Sequence, residues 1–146
     1  MLHTTALTLY LDDQPLLTLP PLTVAPGEVL TLMGPSGCGK SSLLAALAGV
    51  LPPGGPIRLA GEIRLGERLL TPLAPQARRI GMLFQDDLLF AHLTVAENLM
   101  FGMPAHLRGM AARRACALEA LAKVGLEGQA DKLPGQLSGG QKARVS

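Results

Sequence analysis

Gly34-Pro35-Ser36-Gly37-Cys38-Gly39-Lys40-Ser41 fits the pattern G-x-x-x-x-G-K-[ST] at every fixed position, which is the pattern of a phosphate-binding loop. The residue types follow from the chemistry. Phosphates need many donors in a small space, and glycines let the backbone bend around an anion with successive N–H groups pointing inward. Lys40 supplies a mobile positive point charge for the β- and γ-phosphates. The Ser41 hydroxyl suits Mg²⁺, which takes oxygen ligands, and Ser42 adds a second hydroxyl beside it.

The flanks agree with this reading. Glu28-Val29-Leu30-Thr31-Leu32-Met33 is short and apolar and predicts a buried strand. Leu43-Leu44-Ala45-Ala46-Leu47-Ala48 predicts a helix, ended by Gly49 and by Pro52-Pro53. Strand, glycine loop and helix together aim a helix N-terminus, with its partial positive charge, at an anion.

With 146 residues, the chain is one domain or part of one. Hydrophobic residues make up 48% and charged residues 16%, enough for a core and unlike a disordered chain. The longest apolar run, Leu43 to Leu51, is too short to span a bilayer. Met1-Leu2-His3-Thr4 lacks the basic start of a signal peptide, which points to the cytosol. The two cysteines, Cys38 and Cys116, have neither metal nor redox spacing and are expected to be reduced and structural. A net charge of +2, aromatic content of 3% and no Trp leave little footprint for nucleic acid.

Outward from the loop, residues 4–11 alternate and predict a strand, with a turn at Asp12-Asp13-Gln14-Pro15. Leu16–Leu19 and Leu22–Val24 are short strand candidates separated by Pro20-Pro21. Residues 57–65 predict one or two antiparallel strands interrupted at Ala60-Gly61, and Arg68-Leu69-Leu70 extends the sheet beyond a Gly66-Glu67 turn. Residues 72–77 are expected to be irregular. Arg79-Ile80-Gly81-Met82-Leu83-Phe84-Gln85 predicts a second buried strand ending in Gln85. Thr94-Val95-Ala96-Glu97 has the form of a capping box and opens a helix through Met100. A further helix is predicted over 111–124 with Gly125 as its C-cap, and Arg113-Arg114 is expected on its solvated face.

Leu137-Ser138-Gly139-Gly140-Gln141 repeats the capping-box arrangement, with two glycines at the first helical positions. Those glycines weaken the helix but leave its N–H groups uncovered, which favours an anion.

The loop at Gly34–Ser42, Gln85 at the end of an apolar stretch, and Leu137–Gln141 occur in the order and spacing of ABC-transporter ATP-binding subunits, which the whole chain resembles. The run Phe84-Gln85-Asp86-Asp87-Leu88-Leu89-Phe90-Ala91-His92-Leu93-Thr94-Val95-Ala96-Glu97-Asn98-Leu99 is similar to that of bacterial importer ATPases for thiamine, iron(III), sulfate or polyamines. The resemblance implies an α/β fold: a P-loop NTPase core, an N-terminal antiparallel β subdomain and a helical subdomain, with the C-terminal part of the core sheet missing. Residues 1–87 would form the antiparallel β and P-loop core, and residues 88–146 the helical subdomain. Gly34, Pro35, Ser36, Gly37, Cys38, Gly39, Lys40, Ser41 and Ser42 would hold ATP, with Ser41 and Gln85 on Mg²⁺. Ser138, Gly139, Gly140 and Gln141 would meet the γ-phosphate held by a second copy, so that two ATPs are sandwiched in a homodimer. The implied partners are membrane-spanning subunits and a solute-binding protein, with no nucleic acid. The implied place is the cytoplasmic face of the bacterial inner membrane, powering import of a small solute.

Three departures from the family pattern stand out. The position of the adenine-stacking aromatic falls near Leu11, with Tyr10 one place earlier and on the other face of a strand. Ser42 replaces the commoner Thr. No apolar strand ending in Asp-Glu is present, and His3, His92 and His106 all precede the signature, so neither the catalytic Glu nor the switch His is expected in this chain. The chain therefore reads as a fragment that binds nucleotide weakly without turning it over. The alternatives are a non-transport ABC protein acting on nucleic acid, a phosphate-loop kinase or GTPase of another class, and an inactive truncated product.

Overall fold

The computed structural model describes all residues of the chain except Asp87 and Ala105. Asp87, which ends the first expected subdomain, lies outside the described residues. The chain divides into two compact units, Met1–Met82 and Leu83–Ser146.

The first unit carries seven short strands and two helices: β1 (Leu2–Thr4), β2 (Leu7–Leu11), β3 (Gln14–Leu19), β4 (Thr23–Val24), α1 (Lys40–Ala48), β5 (Ile57–Ala60), β6 (Ile63–Leu65), β7 (Arg68–Leu69) and α2 (Pro75–Arg78). The strands form two sheets, in the orders β4-β1-β6-β7 and β3-β2-β5, with every pairing antiparallel.

The strand predicted over 4–11 is two strands, because the chain changes sheet at Thr5-Ala6. Residues 57–65 change sheet at the same level. The two breaks face each other: the Thr5 N–H donates to the Glu62 carbonyl at 3.0 Å, and the Glu62 N–H to Thr5 Oγ1 at 2.8 Å. Gly61 makes the crossing possible. Its φ is +111°, and a Cβ there would lie 2.4 Å from the Ala6 carbonyl oxygen.

The β2–β3 turn is narrower than expected. Asp12 and Asp13 both have positive φ, 46° and 66°, the backbone sense that suits the twist of a two-residue hairpin. Gln14 and Pro15 already belong to β3. Pro15 is tolerated there because β3 is an edge strand, and the register shifts between Leu9 and Tyr10. The region expected to be irregular contains the short helix α2, opened by Pro75.

Leu7 and Leu9, alternate residues of β2, meet Leu43 and Ala46 of α1 together with Ile63 and Leu70. Each fully buried aliphatic side chain contributes roughly 1.5–3 kcal/mol. Helix α1 stops at Gly49, whose left-handed φ of +80° allows the Gly49 N–H to reach the Ala46 carbonyl and the Val50 N–H the Ala45 carbonyl.

The buried strands predicted at 28–33 and 79–85 do not form. Both segments lack a ladder partner, and Val29, Met33 and Leu83 are 88%, 90% and 72% exposed. Only Leu32 and Ile80 pack against the core of the first unit. The apolar pattern is that of strands covered on both faces, which need neighbours to pair their N–H and C=O groups. None of the described strands lies beside them.

The second unit is helical: α3 (Val95–Phe101), α4 (Met110–Lys123) and α5 (Gly139–Val145), with single 3₁₀ turns at Glu127–Gln129 and Pro134–Gln136. Val95 and Ala96 of α3, Ala117 and Leu121 of α4, Val145 of α5 and Leu137 just before it share one core with Leu126 and Ala130. Helix α4 ends one residue earlier than predicted, at Lys123 with Val124 as its C-cap; Gly125 follows with φ +68°, its N–H reaches Ala122, and the Leu126 N–H reaches Leu121. The Thr94–Glu97 capping box is complete in both directions. The N–H of Thr94 first, and its hydroxyl second, hold the Glu97 carboxyl below the usual carboxylate range.

Arg113 departs from the expected solvated face, whereas the Arg114 side chain remains 43% exposed. Arg113 donates to the carbonyls of Met100, Pro104 and Leu107, closing the link between α3 and α4, and Arg114 pairs with Asp131 at 2.6 Å. Among the described residues, no helix is long and apolar enough to cross a membrane.

Candidate functional site

The glycine loop leads directly into α1. Gly37 and Gly39 have φ of +82° and +94°, where an L side chain is strained. Nothing lies within 4 Å of a Cβ built on Gly37, whereas one on Gly39 would meet Leu16 Cδ2 at 3.3 Å. The loop therefore rests on β3 at Gly39 and is open at Gly37. The N–H groups of Gly37, Cys38, Gly39, Lys40 and Ser41 find no backbone acceptor among the described residues. They form a row of free donors at the positive end of a nine-residue helix.

The Lys40 ammonium bends back onto the start of the loop. It donates to the carbonyls of Gly34 at 2.8 Å and Pro35 at 2.7 Å, with Cys38 Sγ at 3.7 Å. A phosphate oxygen arriving at the loop would replace these acceptors with a charged one. The cavity at this point measures about 170 Å³ and is lined by Leu16, Gly37, Gly39, Lys40, Ser41 and Ser42. That is below the roughly 300 Å³ at which drug-sized ligand pockets begin, so the cavity would take only part of a nucleotide. Cys38 is a free, half-buried thiol within the loop, and Cys116 is a free, exposed thiol on α4.

Tyr10 points away from the core formed by Leu7 and Leu9. The Arg58 guanidinium lies over its ring, 5.6 Å from the centroid, and Leu11 is 39% exposed at the end of β2. One face of Tyr10 thus has a neighbour from the sheet itself.

The other candidate residues belong to the second unit. Gln85 is exposed in a bend after Phe84. Ser138 caps α5: its Oγ accepts from the Gln141 N–H at 3.3 Å, while the Ser138 N–H donates to Gln141 Oε1 at 2.9 Å. Leu137 is buried, whereas Ser138, Gly139 and Gly140 are exposed, and a Cβ on either glycine would meet nothing within 4 Å. Sequence reading did not single out Arg144. Its guanidinium donates to the carbonyls of Gly140 at 3.2 Å and Val124 at 2.9 Å, tying the glycine pair to the end of α4. Leu16 under Gly39 was equally invisible, since it reads only as one more apolar strand residue.

A family model described as "ABC transporter" matches residues 19–146. The chain is 44% identical over 146 residues to the uncharacterized ABC transporter ATP-binding protein YnjD of Escherichia coli K12, covering all of this chain and 66% of that protein. It is 45% identical over 125 residues to the thiamine import ATP-binding protein ThiQ of Vibrio vulnificus YJ016, covering 86% of this chain and 51% of ThiQ. It is 47% identical over 135 residues to the molybdenum import ATP-binding protein ModC of Mycobacterium tuberculosis H37Rv, covering 85% of this chain and 35% of ModC. The chain thus spans between about one third and two thirds of the length of these relatives. Among solved structures, the ATP-binding cassette MJ0796, in a dimeric post-hydrolysis state bound to ADP and Pi, superposes with a TM-score of 0.79 at 30% identity, covering 99% of this chain and 66% of that one. A glycine loop opening α1, a glycine-bearing cap opening α5, and a family match over residues 19–146 lead to one conclusion: this chain belongs to the ABC transporter family, in its ATP-binding part.

Proposed function

We propose that the chain is the nucleotide-binding portion of an ATPase subunit that powers a bacterial importer of a small solute. The observation that carries this reading is the row of free N–H groups at 37–41 at the head of α1, in the same loop as the Lys40 ammonium. The relatives named as import ATP-binding proteins support the direction of transport. On the same likeness, its partners would be membrane-spanning subunits and a solute-binding protein, at the cytoplasmic face of the inner membrane.

The donor set suits a magnesium nucleotide. Ser41 and Ser42 offer hydroxyl oxygens beside the one ammonium in the cavity. Among the described residues, no three His, Cys, Asp or Glu side chains converge, so a hard cation would sit between phosphate oxygens and the Ser41 hydroxyl, as Mg²⁺ commonly does. Mg²⁺ would neutralise charge on the phosphates, and Gln85 would join its shell. The loop N–H groups and Lys40 would orient the β- and γ-phosphates. Ser138, Gly139 and Gly140 of one copy would face the nucleotide held by another, with Gln141 fixing the cap.

Binding of Mg-ATP to the 146-residue chain, measured by equilibrium dialysis beside Lys40→Ala, tests the reading. Binding that depends on Lys40 is expected, without turnover, because no Asp-Glu-ended apolar strand is present in these residues. Binding indifferent to Lys40 overturns the site, and Lys40-dependent hydrolysis overturns the separation of binding from catalysis.

A further inference from the structure

Arg78 is a charged residue buried inside the first unit, 7% exposed. Burial lowers the pKa of its guanidinium from the ordinary arginine value, and a buried charge needs compensating partners. The partners are four carbonyls. Nε donates to Leu73 at 2.9 Å, Nη1 to Ala46 at 2.8 Å and Leu47 at 3.0 Å, and Nη2 to Thr71 at 2.9 Å. Ala46 and Leu47 lie in the last turn of α1, where the helix dipole is negative; the Ala46 carbonyl accepts from the Gly49 N–H as well as from Arg78. Thr71 and Leu73 lie in the loop after β7, anchored by the fully buried Leu70. Gly49 fits against the same guanidinium: a Cβ there would fall 2.5 Å from Arg78 Nε.

Leu43, Ala46 and Leu47 also hold α1 by packing against the core of the first unit, and Leu16 lies under its start at Gly39. Apolar contact is not directional and fixes depth better than tilt. The planar fork of an arginine fixes direction. Ala46 and Lys40 are about 9 Å apart along the helix, so a change of tilt at one end moves the other.

We propose that the four-carbonyl clamp of Arg78 sets the tilt of α1 and thereby the placement of Lys40 and Ser41, making Arg78 a positioning residue of the phosphate site. The proposal rests on the reading of residues 34–42 as that site. A displacement of about 1 Å at a reacting group has large consequences, so a clamp at the far end of the helix bears on the function of the near end.

The test compares the parent chain with Lys40→Ala, Arg78→Lys and Gly49→Ala. ATP affinity is measured below each melting transition and corrected for the folded fraction, with the Gly37 and Gly39 amide resonances recorded without nucleotide. If the parent shows no Lys40-dependent binding, the site reading fails, and this inference with it. If the parent binds, Arg78→Lys and Gly49→Ala are each expected to bind at least fivefold more weakly, with both glycine resonances displaced. Parent-like affinity and resonances in folded variants that merely melt earlier would show a structural role only and overturn the proposal. Where the variants do not fold, the parent supplies the readout: saturating ATP is expected to shift the Arg78 Nε–H resonance, with no shift in Lys40→Ala, and an unmoved resonance overturns the proposal.

Discussion

Lys40 donates to the carbonyl of Gly34 at 2.8 Å, so the loop's one cation is held by the loop's own first residue. Removing the ammonium leaves the N–H row intact and deletes only the mobile charge. A hydrogen bond to a charged group contributes roughly 1.5–3 kcal/mol, about ten- to 150-fold in dissociation constant. Lys40→Ala is expected to lose that much Mg-ATP affinity with a melting temperature close to the parent's, as read by calorimetric titration and thermal denaturation. Lys40→Arg is expected to restore little of it, because a planar fork cannot replace a compact ammonium over a tight loop.

Gly37 and Gly39 share a left-handed backbone and differ in their surroundings, which separates two costs. Gly37→Ala meets open space, so its penalty is conformational, about 1 kcal/mol. Gly39→Ala carries the same strain and also presses on Leu16 at 3.3 Å. It is expected to be the more destabilising of the two in urea denaturation. Leu16→Ala should narrow the difference between the two by removing the obstacle, a non-additivity that a double-mutant cycle would detect.

Much of this was legible in the sequence because the signals were local. The capping boxes at Thr94–Glu97 and Ser138–Gln141 form as written, since each needs only residues three apart. The Gly49 and Gly125 helix ends are equally local. What the sequence hid was pairing. The 4–11 stretch alternates throughout, and nothing in it marks Thr5-Ala6 as the place where one sheet gives way to another; that is decided by Glu62, 57 residues away. The strands predicted at 28–33 and 79–85 have the right composition and lack ladder neighbours, a condition that periodicity does not report. Arg78 gives no sign of burial either, because its four acceptors are backbone carbonyls that carry no sequence identity.

The exposed condition of residues 28–33 has a direct consequence in the 146-residue chain. Val29 is 88% exposed and Leu43 1% exposed, though both are apolar neighbours of the glycine loop in sequence. Val29→Thr is expected to change stability by less than about 0.5 kcal/mol, whereas Leu43→Ala should cost about 2–5 kcal/mol through lost burial and a cavity. Comparable costs at the two positions in denaturant titrations would mean that the 28–33 segment is buried after all.

The cap of α3 makes stability depend on pH. The Thr94 N–H, and then its hydroxyl, favour the ionised Glu97 carboxylate, so its pKa is lower folded than unfolded. The unfolded chain then takes up a proton first as the pH falls. The stabilisation is fully present above the ordinary glutamate value, about 4.3, and is lost as the pH falls through the lower folded value. Glu97→Gln keeps a side-chain oxygen for the Thr94 N–H and removes the titration. Its stability should vary less with pH in this acidic window than the parent's, while Thr94→Ala should cost about 1 kcal/mol at neutral pH from the lost cap. The measurement is the difference in unfolding free energy between parent and Glu97→Gln across the window. A difference independent of pH would show that the carboxylate charge contributes nothing to the cap.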